Sequence, residues 1–351
     1  MARRGEEVSG KARKGAAANG GATRNVTSRD VAEVLNISQS TVSRAFTPGA
    51  SISPSLKERI YAAAEKIGYR PNLLARGLIA GKSKLVGVVL ARQTNLLYPE
   101  LLYELSGRLA QEGYQVLLFP IGDGVSLADA IDRIWSYRVD AVLATGLLDE
   151  EDIAAFEAHD LPLVTFNRVY DMPVPSVSCD FAAGARELAK RLIRAGFDNV
   201  GLIAGPATSY VSNEVERGAR AVLDASGARL AITRHDYEYE SGAAALSALK
   251  KGAGGLPRAL ICVNDTVAAG CLDHLRGPMG LKVPEDIALT AFGGFGPSHW
   301  QGYRITGMRQ PMEDMMAAAV SLLLERIADS TKSAERRSFL PIFVDGATAV
   351  L

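Results

Sequence analysis

From residue 85 onward the chain alternates between short, nearly uninterrupted apolar runs and longer stretches with apolar residues on one helical side. LVGVVLA (85–91), YQVLLF (114–119), VDAVLAT (139–145) and LPLVTF (161–166) form a first series of strand-like runs. NVGLIAG (199–205), RHDYEY (234–239), ALICV (259–263) and IALTAF (287–292) form a second. Amphipathic segments lie between them: PELLYELSGRLAQEG in the first series, and stretches near 181–195, 213–226, 241–251, 265–276 and 312–328. Strands with no polar face belong in parallel sheets covered by helices on both sides. Two series predict two doubly wound α/β lobes. Such sheets bind ligands beyond the carboxyl ends of their strands, so a cleft between the lobes is the expected site.

Residues 26–70 follow another pattern, with apolar residues at helical spacing in three short segments. Thr27 or Ser28 can cap a first helix, DVAEVL, with Val31 and Leu35 on one face. Asn36-Ile37 turns the chain. Ser38 is a good N-cap for a second helix, QSTVSRAF, because its hydroxyl can accept a free N–H of the first turn. After TPGAS, Ser53 caps a third helix with Pro54 at its first position, where no N–H is needed. Leu56, Ile60, Ala64 and Ile67 share its apolar face and Gly68 stops it. Two short helices joined by a tight turn, with a third to close the core, make a helix-turn-helix domain. Residues 71–84 read as a connector. LLARGLIA has a helical pattern but is too short to be stable alone, and Gly77 weakens it further.

Composition changes the picture once it is divided along the chain. The 351 residues carry 39 Lys plus Arg and 39 Asp plus Glu, a net charge of zero that argues against a nucleic-acid partner. Residues 1–84, however, hold 15 basic and 6 acidic residues, and residues 85–351 hold 24 and 33. A head of net +9 and a body of net −9 reverse the inference, because basic character sits where phosphates would be met. Residues 1–25, with five glycines among Ala, Lys and Arg, read as a disordered basic tail. The expected organisation is therefore tail 1–25, helix-turn-helix domain 26–70, hinge 71–84 and two-lobed body 85–351.

The run from residue 26 to 80 closely resembles the head of the lactose-repressor/galactose-repressor family of bacterial transcription regulators. The resemblance rests on VTSRDVA, on TVSR, on the third-helix pattern ending in GYRPN, and on the ARGL of the connector. The alternation after residue 85 resembles the family's two-lobed, periplasmic-binding-protein-like effector domain. The resemblance implies that the second helix enters the major groove. Gln39, Ser40 and Arg44 would then read bases, Gln being suited to adenine and Arg to guanine. Thr27, Arg29, Ser38, Thr41, Ser43 and Asn72 are expected to cap helices or hold phosphates. Gln39 and Ser40 also read as plain solvated positions. Ala75, Arg76 and Leu78 match the family's hinge, where Leu enters a minor-groove step. The alternative for Leu78 is that it covers the lobe.

In the body, the resemblance implies that Tyr98, Asn167, Arg168 and Asn264 line the effector cleft. Asp180 and Asp265 read either as part of that site or as helix caps. Two departures bear on the ligand. Sugar-binding members usually carry Arg where this chain has Val215, and an Asp of a GFDD stretch where it has Gly293 and Gly294. The expected effector is a sugar or sugar-derived metabolite bound between the lobes, but the two departures make an ordinary neutral sugar less secure and leave open a sugar acid, another small metabolite, or a regulator that ignores small molecules.

No GxSxG, GxxxxGK[ST] or helix-opening GxGxxG occurs, and the four histidines have no metal-ligand spacing. The expectation is a non-enzymatic regulator with no cofactor and no metal. Its expected partners are double-stranded operator DNA, a small-molecule effector and a second copy of itself, with no membrane. A cytoplasmic location follows from the lack of an apolar leader. Only VDGATAVL follows Phe343, too little for a coiled coil, so dimers rather than tetramers are expected. A periplasmic-type solute-binding protein and a two-lobed sugar enzyme are the competing classes. The first has no use for residues 26–70, and the second lacks a catalytic constellation.

Overall fold

The computed structural model describes residues 26–47, 49–71, 82–91, 97–122, 127–252 and 254–351. These fall into two compact units, one within residues 1–76 and one within 77–351.

The first unit contains α1 (Ser28–Leu35), α2 (Gln39–Ala45) and α3 (Pro54–Ile67). Asn36 and Gly68 end α1 and α3 in the left-handed conformation, at φ 53° and 73°. Asn and Gly tolerate it best. Val31, Ala32, Val42, Ala45, Ile60, Ala63 and Ala64 form the core, with Leu35, Leu56 and Ile67 at its margin. Phe46 stacks on Tyr61 at 4.9 Å and meets the edge of Tyr69 at 5.6 Å. The expected faces are thus the buried ones. Ser53 stands at the N-cap of α3, but its side chain makes no capping bond there.

The second unit contains two six-stranded sheets. The first half of its chain supplies β1 (Leu85–Ala91), α4 (Leu97–Gln111), β2 (Gln115–Ile121), α5 (Leu127–Tyr137), β3 (Ala141–Ala144), α6 (Glu150–Ala158), β4 (Leu163–Phe166) and β5 (Ser176–Cys179). Next come α7 (Phe181–Arg194), β6 (Asn199–Ala204), α8 (Tyr210–Ser226), β7 (Arg229–Arg234), α9 (Ser241–Gly252), β8 (Ala259–Cys262), α10 (Asp265–Arg276), β9 (Ala288–Gly293) and β10 (Thr306–Arg309). The chain closes with α11 (Met312–Ala328), β11 (Arg336–Phe339) and β12 (Ile342–Val344). The sheet orders are β11-β5-β4-β3-β1-β2 and β12-β10-β9-β8-β6-β7. Every pairing is parallel except β10 with β12. β3, β4, β5 and β8 are buried at every residue, as sheets covered on both faces require.

The chain passes between the lobes three times: at Asp180, at Gln310-Pro311 and at Leu340-Pro341. After the first crossing α7 packs on α8 of the second lobe, and after the second α11 packs on α4 and β3–β5 of the first. Asp180 donates its N–H to the Phe339 carbonyl at 2.8 Å, tying two crossings together. Two of the three crossings are thus joined side by side.

One predicted strand is misplaced. RHDYEY is not a strand; β7 is the preceding RLAITR and stops at Arg234. As an edge strand, β7 buries Leu230 and Ile232 only in part, so its periodic signal is weak, and the aromatic run beyond it mimics a strand. β5, β10, β11 and β12 were not predicted. Each has four residues or fewer, and β11 (RRSF) has no apolar pattern.

Candidate functional site

The second helix of the first unit is built to be exposed. Ser38 caps it, accepting the Thr41 N–H at 3.2 Å and sharing hydroxyl bonds with Ser40 and Thr41 at 2.8 Å. Val42 and Ala45 are completely buried or nearly so, which turns Gln39, Ser40, Ser43 and Arg44 outward. Gln39 Nε2 donates to Ser28 Oγ at 3.0 Å, so the base-reading candidate is aligned by a contact from α1. Thr27 donates through its N–H and hydroxyl to the Asp30 carboxylate at 2.6 and 2.7 Å. Arg29 is exposed, Thr41 half-buried, and the Ser43 carbonyl accepts the Thr47 hydroxyl at 2.9 Å. Asn72, Ala75, Arg76 and Leu78 lie outside the described residues.

In the second unit, a cavity of about 190 Å³ opens between the lobes at the carboxyl ends of both sheets. Tyr98, Asn167, Arg168 and Asn264 all line it. Sequence reasoning missed Phe166, Phe181, Tyr210, Tyr237, Phe292 and Gln310, which line it too. The signal that could have found several of them is position: Phe166 and Phe292 end strands, and Gln310 follows one.

The four predicted residues differ in what they offer a ligand. Asn264 caps α10, accepting the Val267 N–H at 2.8 Å and donating to the Tyr237 carbonyl at 3.3 Å. Asn167, at φ 54°, donates to Gln310 Oε1 at 2.7 Å and accepts the Cys179 N–H at 3.2 Å. Both amides are thus engaged at each end. Tyr98 meets only the Thr145 hydroxyl, at 3.5 Å, and burial pushes its phenol up from the ordinary value. Arg168, half-buried beyond β4, donates Nη2 to the Thr208 carbonyl of the other lobe at 3.2 Å.

The two aspartates separate. Asp180 caps α7 through the Ala183 N–H at 2.8 Å. Asp265 caps nothing. It lies under the segment after β9, accepting the Phe295 N–H at 2.9 Å and the Ser298 hydroxyl. A Cβ at Gly293 would strike this carboxylate, and one at Gly294 would strike the Arg309 side chain. These positions stay glycine for that reason and for their φ of 142° and 79°. Val215 is fully buried in α8, so no charge enters from that turn.

Burial pushes Asp265 up to about 6, from an ordinary value of 3.8. The folded state therefore keeps this proton to higher pH than the unfolded chain. Its stabilising contribution is complete below about pH 4 and lost as the pH rises through 6. About two pH units correspond to about 3 kcal/mol. The stability advantage of wild type over Asp265→Asn should shrink by about that much between pH 4 and pH 7 in denaturant titrations. A constant difference would rule the assignment out.

A helix-turn-helix unit with an outward-facing second helix, and a two-lobed α/β unit with a ligand-sized cleft, define a ligand-binding regulator of the DNA-binding class. Two family models match the chain in that order. "Bacterial regulatory proteins, lacI family" covers residues 27–72, and "Periplasmic binding proteins and sugar binding domain of LacI family" covers residues 83–343. The chain belongs to the lacI family of bacterial regulatory proteins. Catabolite control protein A of Priestia megaterium is 27% identical over 314 residues, 88% of this chain and 94% of that protein. The Staphylococcus aureus (strain N315) protein of the same name is 27% identical over 307 residues, 87% and 93%. Among solved structures, the lac repressor dimer bound to operator and the anti-inducer ONPF has a TM-score of 0.83 at 23% identity, covering 93% of this chain and 99% of that one. It shares the fold. Among the described residues no helix is long and apolar enough to cross a membrane, and no His, Cys, Asp or Glu cluster fits a metal.

Proposed function

We propose that this protein is a transcriptional regulator, most naturally a repressor. As a homodimer it would bind a double-stranded operator, and a small molecule in the cleft would set its affinity. It catalyses no reaction in this reading and works in the cytoplasm, where its DNA is. The observation that carries the proposal is the presence, in one chain, of an exposed capped helix in a helix-turn-helix unit and of a cleft between two lobes joined by three crossings. Two heads would read two half-sites, with Gln39, Ser40 and Arg44 facing base edges and Thr27, Arg29, Ser38, Thr41, Ser43 and Asn72 holding register. Ala75, Arg76 and Leu78 would form the minor-groove hinge, in the division 26–70, 71–84 and 85–351 with a basic tail at 1–25.

A ligand shifts the DNA-competent population only by binding open and closed lobes unequally. The Arg168–Thr208 and Asn167–Gln310 bonds are placed to sense closure. The first spans the cleft and the second reaches a crossing residue.

Operator selection from genomic DNA with purified protein, followed by a salt titration, tests the reading. Six to ten phosphate contacts should weaken binding by about 10³–10⁵ between 50 and 200 mM salt. A flat response would reject a DNA-binding role.

A further inference from the structure

The polar groups of the cleft are unevenly available, and the imbalance identifies a ligand class. Of the described residues lining the cavity, Asp265 alone carries a carboxylate, and both of its oxygens are held by the segment after β9. Asn167 and Asn264 are engaged at both ends of their amides. Ser209 and Tyr237 pair through their hydroxyls. A neutral sugar presents a ring of hydroxyls that need acceptors. Among the described lining residues every carboxylate and side-chain amide already has a protein partner, which fixes its direction and leaves only part of its N–H groups and lone pairs to a ring of sugar hydroxyls.

What remains suits an anion. The Arg168 guanidinium has five N–H groups; Nη2 donates to the Thr208 carbonyl, and the group lies 5.9 Å from the centroid of the Tyr170 ring. Its planar fork matches a carboxylate in two parallel bonds. The hydroxyls of Tyr98 and Tyr210 add single donors. The walls are aromatic, from Phe166, Phe181, Phe292 and Phe295. A cavity near 150 Å³ admits benzene, so about 190 Å³ accommodates one ring with a small substituent.

We infer that the ligand is a small organic carboxylate with a compact ring body, and that Arg168 recognises its carboxylate. This rests on the cleft being the effector site. Because Arg168 already reaches across to Thr208, a carboxylate on its remaining N–H groups would hold the two lobes through one side chain, coupling charge recognition to closure.

Full-length protein is titrated calorimetrically with benzoate, 4-hydroxybenzoate and phenylacetate, with the amide of each, and with D-glucose. At least one carboxylate should bind about tenfold or more tightly than its amide and more tightly than glucose. Arg168→Ala should erase the preference and Arg168→Lys restore part of it. Circular dichroism checks both variants. If Arg168→Ala does not fold, the wild-type comparison of acid with amide decides. Equal binding of acid and amide, tighter binding of glucose, or no carboxylate binding up to about 10 mM overturns the inference. Operator retention is measured on the same samples. A wild-type protein that retains its operator but shows no carboxylate preference defeats this inference alone, whereas failure of the wild type to retain DNA defeats the regulator reading.

Discussion

Ile60→Ala is expected to unfold the helix-turn-helix unit and leave the two-lobed unit standing. Ile60 is fully buried among Val31, Val42, Ala45 and Ala64, so truncation opens a cavity that three short helices cannot close. Such changes cost about 2–5 kcal/mol. A core this small supplies only about 3–5 kcal/mol in total. The folded fraction of each head should fall about tenfold, and a dimer needing two folded heads should lose about a hundredfold in operator affinity. A thermal scan should show the early transition lost or lowered and the main transition unmoved. Ile60→Val, at about 1 kcal/mol, should retain binding. An Ile60→Ala protein that binds its operator normally would refute the independence of the head. So would one whose two transitions fall together.

What the sequence disclosed follows from where physical constraint is local. The head was readable because each helix carries its own signals: Ser38 before α2, Pro54 opening α3, Gly68 ending it, and apolar residues at helical spacing. The buried strands were readable because both their faces are apolar. β7 and β11 were not, because an edge strand is half solvated and its pattern fades into its neighbours. Fold and family thus came from local rules and one long motif. The cleft was legible only in part. Tyr98, Asn167, Arg168 and Asn264 do meet there, and Asn264 capping a helix through the Val267 N–H is itself a local signal, but nothing local says that Asn167 would be engaged by Gln310. Nor does it say that Asp265 would disappear beneath Phe295 and Ser298, 30 or more residues away. These two pairings join segments 30 to 143 residues apart, and they decide how the side chains present themselves to a ligand. In the sequence the glycines at 293 and 294 read as a departure from the sugar-binding pattern. The structure supplies a positive reason for them, since the Asp265 carboxylate and the Arg309 side chain fill the space that their side chains would need.

The second large effect concerns which sequence is bound rather than how firmly the head folds. Arg44 is exposed on the last turn of α2 and Gln39 on its first, so both side chains are removable without touching Val42 or Ala45. Arg44→Ala should cost about 1–3 kcal/mol per half-site at the preferred operator and relax the choice of base pair there. The same change on non-specific DNA should cost no more than one lost charge, so the ratio of specific to non-specific affinity collapses. Gln39→Ala should act at a different base pair, because its side chain leaves the opposite end of the helix. Arg29→Ala is the contrast: a phosphate contact removed should weaken every sequence alike and reduce the salt slope by about one per contact. The Ser28 hydroxyl separates alignment from contact. It holds Gln39 at 3.0 Å, so Ser28→Ala should weaken the preference at Gln39's base pair while leaving the one at Arg44's intact. Binding measured across an operator library with every single base change would read all four variants. If Arg44→Ala lowers affinity equally for every operator variant, Arg44 holds a phosphate and the base-reading assignment fails.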